Sequence, residues 1–213
     1  MTLDSVFRRR ENERIARQSG RLPPGQSLTE KFPVLHYGMV PVFDPDAWRF
    51  KVWGDVEQPL ALTWQQFNQL PRSTITMDLH CVTTWSKLDT TWEGVSLRTL
   101  LDMGLIKLLP TARYVLQHAE HGYSTNLPLA IMLQENFLLA THFEGAPITP
   151  DHGYPLRGVV GAIPGRDDLK TPYLWKGAKW LYGLEFMPAD RMGFWERAGY
   201  HNQADIWKEE RFA

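Results

Sequence analysis

The sequence predicts an α+β fold, a single strand-rich domain with few helices. Short segments that alternate apolar and polar residues, the pattern of half-buried strands, outnumber the segments with helical periodicity. They are not separated by regularly spaced helices, as the strands of a parallel α/β fold would be. No internal repeat or Gly/Ser-rich linker divides the 213 residues, and 43% of them are hydrophobic, enough for one substantial core.

The N-terminal segment differs from the rest of the chain in its charge. Residues 1 to about 20 are rich in Arg and Glu and predict a short helix or a loosely docked arm. The prolines at 23 and 24 then interrupt it, and an extended segment begins at Lys31. We therefore place a charged arm at residues 1–22 and one domain at residues 23–213.

The regular elements follow from periodicity and from helix caps. Thr63 can cap a helix that Pro71 ends, and Ser96 can cap a second helix that Gly104 stops. The predicted helices cover residues 64–70, 97–103 and 129–135. The predicted strands cover residues 48–54, 59–63, 74–79, 113–118, 123–129, 156–162 and 178–186.

The overall charge excludes some classes of partner. The chain has 23 Lys and Arg against 24 Asp and Glu, so its net charge of -1 provides no field for nucleic acid or an anionic membrane. No run approaches the roughly 18 apolar residues of a transmembrane segment. The basic N-terminus is not followed by the apolar stretch of a secretion signal. Because a single cysteine also suits a reducing compartment, we expect a cytoplasmic protein.

The single cysteine, Cys81, follows a predicted strand and precedes a polar, aromatic run. It cannot close an internal disulfide, so two interpretations stand: a small buried hydrophobic residue, or a thiolate aimed at a metal or an electrophile. A structural zinc site is not supported, because no Cys-x-x-Cys pair exists. A cysteine protease lacks a local nucleophile signature.

Three other segments carry candidate polar groups. His118 and His121 form a His-x-x-His pair, which is either a polar hairpin turn or part of a metal site. His152 and Arg157 could present two donors to one anion, or form an ordinary turn. Residues 176–179 place two lysines around Gly-Ala, either as a phosphate cradle or as a solvated surface.

Taken together and in this order, these segments resemble the molybdopterin-binding oxidoreductases of the sulfite oxidase superfamily. The resemblance is to small, haem-free bacterial members related to the catalytic subunit of protein-methionine-sulfoxide reductase. It covers the chain from about Pro24 to the end. The motifs that carry it are Pro24-Gly25-Gln26 with Lys31-Phe32-Pro33-Val34-Leu35, residues 48–54, Cys81-Val82-Thr83-Thr84-Trp85-Ser86 with Trp92-Glu93-Gly94-Val95, Gly122-Tyr123-Ser124-Thr125-Asn126, His152-Gly153-Tyr154-Pro155-Leu156-Arg157, Trp175-Lys176-Gly177-Ala178-Lys179-Trp180 and residues 193–201.

The resemblance implies a mixed-sheet molybdopterin-binding domain and assigns roles to individual residues. Cys81 is implied as the one protein ligand to molybdenum, a soft thiolate that suits a metal already bound by sulfur. Arg157, Tyr123 and Tyr154 are implied to orient the substrate. The implied contacts to the molybdopterin cofactor are Leu35, His36, Ala119 through its backbone, His152, Arg157, Gly177, Ala178 and Lys179.

The implied activity is oxygen-atom transfer to or from a small oxyanion or a sulfoxide-type substrate. The implied partners are a small-molecule substrate and a separate protein that donates or accepts electrons. The sequence does not choose between oxidase and reductase. A different class of function also stays open, a non-catalytic protein that carries molybdopterin or serves as a subunit of a larger redox assembly.

Three features depart from the pattern of the family. His80 precedes the cysteine where relatives often have Arg, so we expect the local charge there to depend on pH. The segment 161–172 is longer than the usual connection, which predicts a reshaped pocket mouth or a partner site. There is no twin-arginine leader followed by an apolar run, which argues against the periplasmic role of the reductase relatives.

Overall fold

A computed structural model describes residues 3–213, and the side chains from Phe7 onward. The strands are β1 Ser27–Leu28, β2 Arg49–Gly54, β3 Leu60–Thr63, β4 Ser73–His80, β5 Trp85–Val95, β6 Tyr114–Ala119, β7 Ser124–Pro128, β8 Phe137–Phe143, β9 Ala146–Pro147, β10 Arg157–Val160 and β11 Leu181–Met187. The helices are α1 Leu3–Gln18, α2 Trp64–Asn68, α3 Leu97–Asp102, α4 Leu129–Met132 and α5 Phe194–Arg197. Short 3-10 turns lie at Glu120–Gly122, Pro150–His152 and Leu174–Lys176.

The strands form two mixed sheets, which confirms the predicted α+β, strand-rich class. The first has the order β1-β5-β8-β10, with β4 also paired to β5 and β9 to β8. The second has the order β3-β2-β11-β6-β7. The pairs β1–β5 and β2–β11 are parallel, and the other pairs are antiparallel.

The predicted helix caps are present in the structure. The Thr63 side chain accepts a hydrogen bond from the Gln66 backbone, and the Gln66 side chain in turn accepts one from the backbone N–H of Thr63. The Ser96 side chain accepts from the backbone of Thr99. Each bond satisfies a backbone N–H that the first helical turn leaves without a partner. Both helices are shorter than predicted.

The strand predictions were wrong in two places. The last strand begins at Leu181 and not at residue 178, because Trp180 has a positive φ of 53° that breaks the extended backbone. Strands β5 and β8 were not predicted at all, although they pair with each other in the middle of the first sheet. Residues 31–35, for which only an extended segment was predicted, contain no regular strand.

The N-terminal arm docks onto the domain at its C-terminal end. The Arg21 guanidinium contacts both carboxylate oxygens of Asp78, at 2.8 and 2.7 Å, and Asp78 is almost fully buried. The Arg17 side chain donates to the carbonyl of Gln26 at 2.6 Å. The boundary between residues 22 and 23 stays a prediction. Within residues 3–213, no helix has both the length and the apolar character needed to cross a bilayer.

Candidate active site

One cavity of about 250 Å³ collects most of the residues that the sequence singled out. It lies where the end of β4, the start of β10 and the segment before β11 meet, so residues far apart in sequence face one space. Its lining contains two cationic side chains and no carboxylate. The lining residues are Phe32, Pro33, Leu35, His36, Tyr37, Cys81, Val82, Thr83, Trp85, Tyr123, Arg157, Leu174, Trp175, Gly177, Lys179, Trp180, Trp195 and Tyr200.

Cys81 lies in a tight turn immediately after β4. Its backbone N–H donates to the carbonyl of Trp85 at 2.9 Å, and its carbonyl accepts from the N–H of Thr84 at 3.1 Å. Thr84 has a φ of 72°, which closes the turn. The turn therefore points the sulfur into the cavity lining, where the Thr83 hydroxyl lies 3.2 Å from Sγ.

Residues near both ends of the chain form hydrogen bonds with the backbone of the Cys81 turn. The buried Gln26 side chain donates to the carbonyl of Cys81 at 3.1 Å. The N–H of Ser27 donates to the carbonyl of Thr84 at 2.9 Å. The Arg211 guanidinium donates to the carbonyl of Val82 at 2.6 Å. These bonds hold the backbone of the turn in one conformation, which is part of the preorganisation that a metal ligand requires.

Arg157 is a buried cation that forms no ion pair with any carboxylate of the described side chains. Its side chain is 1% exposed, and its Nε and Nη1 donate only to the carbonyls of Gly158 and His152, at 3.2 and 3.0 Å. The guanidinium also lies 5.4 Å from the centroid of the Trp92 ring. Burial lowers the pKa of Arg157 to about 10. Because a buried charge is costly unless it is paired, this position is suited to an anion.

Lys179 provides the second cation of the cavity. Its Nζ donates to the carbonyl of Asp151 at 2.7 Å. Burial, and then the nearby charge of Arg157, lower its pKa to about 7. An anion beside both side chains would raise that pKa again, so the pair favours a negatively charged ligand.

His152 lies beside these cations, although it is not among the residues that line the cavity. Its ring stacks on Phe32 with centroids 3.9 Å apart, and burial followed by the charge of Lys179 lowers its pKa to about 4. Its Nδ1 is buried and has no hydrogen-bond partner among the described residues. An unpaired buried nitrogen is a position where a ligand gains a hydrogen bond.

Lys176, the other lysine of the predicted cradle, does not face the cavity. Its Nζ lies 2.5 Å from Oε1 of Glu196, and both side chains are fully buried. The carbonyl and the side chain of Asn126 accept from the same nitrogen at 3.1 and 2.9 Å. The interpretation of residues 176–179 as a cradle with two lysines was therefore wrong at Lys176.

The two tyrosines take different positions. Tyr123 lines the cavity, but its hydroxyl donates to the carbonyl of Trp175 at 2.8 Å, and burial raises its pKa well above the usual value. Tyr154 lies outside the cavity lining, because its ring packs against Phe43 and Trp64 at centroid distances of 5.0 and 6.3 Å. The structure brings only Tyr123 to the candidate site.

Two predicted cofactor contacts also lie behind the cavity wall. Ala119 is buried, and its N–H donates to the carbonyl of Tyr123 at 2.9 Å. Ala178 is fully buried, and its N–H donates to the side chain of Gln117 at 3.1 Å. Leu35, His36 and Gly177, by contrast, line the cavity together with the cysteine and the two cations.

The two histidines of the His-x-x-His segment do not converge on one point. Nε2 of His118 contacts Oε2 of Glu185 at 2.8 Å, whereas Nε2 of His121 contacts the carbonyl of Met39 at 2.6 Å. Among the side chains described, from Phe7 to Ala213, no group of three or more His, Cys, Asp or Glu could hold a metal ion. A metal at Cys81 would therefore need most of its ligands from a chelating group.

His80 does not supply the pH-dependent charge expected from the sequence. It is 1% exposed, its Nδ1 lies 2.8 Å from the hydroxyl of Ser86, and burial lowers its pKa to about 3. The imidazole is therefore neutral at physiological pH. That expectation was wrong because the side chain is inside the domain.

The long segment 161–172 does not reshape the mouth of the cavity, since none of its residues is among those that line it. Its two ends are held by bridges, Asp78 with Ala162 and Pro172 with Asp205. Its exposed middle carries an ion pair between Arg166 and Asp168 at 2.8 Å. The expected partner site there stays a prediction.

Sequence reasoning assigned no role to several residues that the structure places at the cavity. They include Gln26 and Arg211, which hold the Cys81 turn, and the aromatic wall, defined as Tyr37, Trp175, Trp195 and Tyr200. The motif at residues 193–201 was the available signal for two of the aromatic residues. No local pattern identified Arg211, which contacts a residue 129 positions away in sequence.

The residues present fit a molybdenum–molybdopterin group. The cavity combines one soft thiolate ligand with two cations, and His152 beside it has an unpaired buried nitrogen, a set that suits a sulfur-chelated metal attached to a phosphate-bearing pterin. Gly177 in the cavity lining packs closely on the backbone of β10, because a Cβ on it would lie 2.3 Å from the carbonyl oxygen of Gly158.

Residues 37–195 match the family model described as the oxidoreductase molybdopterin-binding domain. The chain belongs to that family. It is a molybdopterin-dependent oxidoreductase whose cofactor is molybdenum–molybdopterin. This confirms the family, the enzyme class and the cofactor that the resemblance implied.

Known proteins agree with this assignment. An uncharacterized oxidoreductase, YuiH, of Bacillus subtilis (strain 168) is 44% identical over 196 residues, which are 92% of this chain and 93% of the relative. Mitochondrial sulfite oxidase of Homo sapiens is 27% identical, over 84% of this chain but only 37% of that longer protein. The crystal structure of the sulfane dehydrogenase SoxCD from Paracoccus pantotrophus matches with a TM-score of 0.62 and 18% identity, over 77% of this chain and 43% of that chain, which shows a shared fold.

Proposed function

We propose that this chain binds molybdenum–molybdopterin through Cys81 and performs oxygen-atom transfer to or from a small oxyanion or a sulfoxide-type substrate. The observation that carries the proposal is the cavity itself. It joins the only thiol of the chain to two cations that form no ion pair with the described side chains, and its lining contains no carboxylate. When bound, the cofactor supplies two-electron redox chemistry coupled to transfer of an oxygen atom.

Different side chains in and beside the cavity hold different parts of the cofactor. Cys81 supplies the protein ligand to the metal from a turn that is fixed on three sides. Arg157 and Lys179 compensate the negative charge of the cofactor phosphate, and His152 offers its unpaired Nδ1. Leu35, His36 and the backbone around Gly177 complete the slot.

Ala119, Ala178 and Tyr154 have weaker support as site residues. The two alanines lie behind the cavity wall, where their backbone N–H groups bond to Tyr123 and Gln117 and so support the wall. Tyr154 is not placed beside the cavity lining, and Arg157 is assigned to the cofactor, so we keep Tyr123 as the side chain that orients the substrate. The hydroxyl of Tyr123 is held by a backbone carbonyl, which leaves its oxygen as an acceptor.

The aromatic wall favours a sulfoxide-type substrate over a small oxyanion. Tyr37, Trp175, Trp195 and Tyr200 supply apolar surface at the cavity. If both cations are engaged by the cofactor, a second small anion lacks a partner, whereas a neutral sulfoxide can bury its apolar body against these rings.

We further propose that electrons are exchanged with a separate donor or acceptor protein. The cytoplasm stays the predicted compartment, to be tested by fractionation of the native host.

The test starts from protein made in a host that synthesises the cofactor. Molybdenum and pterin content are measured for the wild type and for Cys81→Ser. Turnover is then measured with methionine sulfoxide and a reduced dye, and with sulfite and an oxidised dye. We expect bound cofactor and turnover in the wild type, and loss of turnover in Cys81→Ser. A wild type with full cofactor and no turnover on any oxygen-atom donor or acceptor would instead favour a molybdopterin carrier.

A further inference from the structure

We propose that Thr83 is a positioning residue whose hydroxyl donates a hydrogen bond to the sulfur of Cys81 and thereby sets the reduction potential of the site. This inference rests on the proposed role of Cys81 as the metal ligand. Its basis is the 3.2 Å distance between Thr83 Oγ1 and Cys81 Sγ, and the position of both residues at the cavity lining.

The direction of the hydrogen bond follows from the chemistry of the two groups. A thiolate that binds a metal carries no proton and can only accept, so the Thr83 hydroxyl must donate. That hydroxyl has no other hydrogen-bond partner among the described residues, which leaves its proton available for the sulfur. Arg157 and Lys179 also lie near the sulfur, but no hydrogen bond joins either side chain to it in the described structure.

The geometry of the turn makes this contact a fixed feature. Gln26 and Arg211 hold the carbonyls of Cys81 and Val82, and Ser27 holds the carbonyl of Thr84. The backbone on both sides of Thr83 is therefore anchored. The rotation of the Thr83 side chain is the only freedom left, and a β-branched residue has few rotamers.

A hydrogen bond to a thiolate withdraws part of its negative charge. A ligand that donates less charge stabilises the oxidised site less, so one-electron reduction becomes easier and the midpoint potential rises. Removing the hydroxyl should lower the potential without removing the ligand. Thr83 thus adjusts the chemistry of the site through Cys81 and does not itself need to touch the substrate.

The chain offers a matched control in the next residue. Thr84 belongs to the same turn and is also exposed, but its side chain makes no hydrogen bond among the described residues, and only its backbone N–H contacts Cys81. Thr84→Val makes the same chemical change one position away. Thr83→Ser keeps the hydroxyl and removes only the methyl group.

The experiment is a redox titration of the holoenzyme in these variants, with electrons supplied one at a time by a chemical titrant and the signal followed by electron paramagnetic resonance. We expect Thr83→Val to shift the midpoint potential to a lower value, Thr83→Ser to return it towards the wild type, and Thr84→Val to leave it unchanged. Equal potentials for Thr83→Val and the wild type would overturn the inference. So would equal shifts for Thr83→Val and Thr84→Val.

Two further outcomes are also decisive. If Thr83→Val loses molybdenum, recovery of both metal content and potential in Thr83→Ser supports the inference, and failure to recover contradicts it. The Cys81→Ser holoenzyme separates the two proposals. An unchanged spectrum in that variant overturns the ligand role itself, whereas a changed spectrum with no effect at Thr83 overturns the role of Thr83 alone.

Discussion

Two lysines three residues apart, Lys176 and Lys179, have opposite surroundings. Lys176 is fully buried against Glu196 at 2.5 Å, and Asn126 accepts two further hydrogen bonds from its Nζ. Lys179 faces the cavity, donates to one backbone carbonyl, and has another cation, Arg157, as its neighbour. Burial is the largest influence on both pKa values and lowers each of them.

The contrast distinguishes a lysine whose charge stabilises the fold from a lysine whose charge is available to bind a ligand. At Lys176 the positive charge is compensated inside the protein, where three acceptor contacts offset the cost of removing the ammonium group from water. At Lys179 no carboxylate among the described side chains forms an ion pair with the ammonium group, so an anion can bind there without displacing one. The same residue type therefore stabilises the fold at one position and recognises the cofactor at the other.

The largest effect is expected from removing the buried lysine. Lys176→Met leaves Glu196 as an uncompensated buried carboxylate, and we expect a loss of about 3–5 kcal/mol in the free energy of unfolding. Chemical denaturation measures it, with Lys179→Met as the matched control that loses less than about 1 kcal/mol. The double variant Lys176→Met/Glu196→Leu should lose less than Lys176→Met alone. Equal losses for the two single variants would remove the distinction between the lysines.

The second effect concerns the cofactor rather than the fold. Neutralising Arg157 and Lys179 together, as Arg157→Gln/Lys179→Gln, removes both cations of the cavity. We expect the purified protein to contain little pterin, because the phosphate loses its charged partners. Fluorescence of the oxidised pterin released from the protein gives the content. Full occupancy with unchanged fold would contradict the role of these side chains.

The smallest effect is a pH dependence in cofactor-free protein. Between the folded pKa of Lys179, about 7, and the higher pKa of an unfolded lysine, the unfolded chain binds more protons than the folded one. The stability of the wild type relative to Lys179→Met should therefore rise with pH from about 7 upward. Thermal denaturation at a series of pH values compares the two proteins. Parallel curves would mean that Lys179 titrates normally.

The sequence predicted the class of fold because most strands alternate in the usual way, but it missed two central strands for physical reasons. In β5 the inward positions include Ser86 and Thr90, which are fully buried, so the period of two is present but is carried by polar residues. In β8 the first five residues are all buried, which produces a short continuous apolar run that could equally belong to a helix.

The sequence predicted the site residues that lie in recognisable motifs. It could not predict those whose position depends on contacts with distant parts of the chain. Cys81, Arg157 and Lys179 lie in recognisable segments, and the structure brings them to one cavity. Lys176 lies in the same segment as Lys179, yet its burial depends on Glu196, 20 residues later. Tyr154 follows His152 by two residues, but its ring packs on distant aromatic residues.

The central claim is that the sulfur of Cys81 binds molybdenum, and X-ray absorption at the molybdenum edge tests it most directly. The holoenzyme and its Cys81→Ser variant are compared at equal metal content. The account predicts that the variant loses one sulfur neighbour of the metal and keeps the sulfurs of the pterin. An identical number of sulfur neighbours in the two proteins would contradict it.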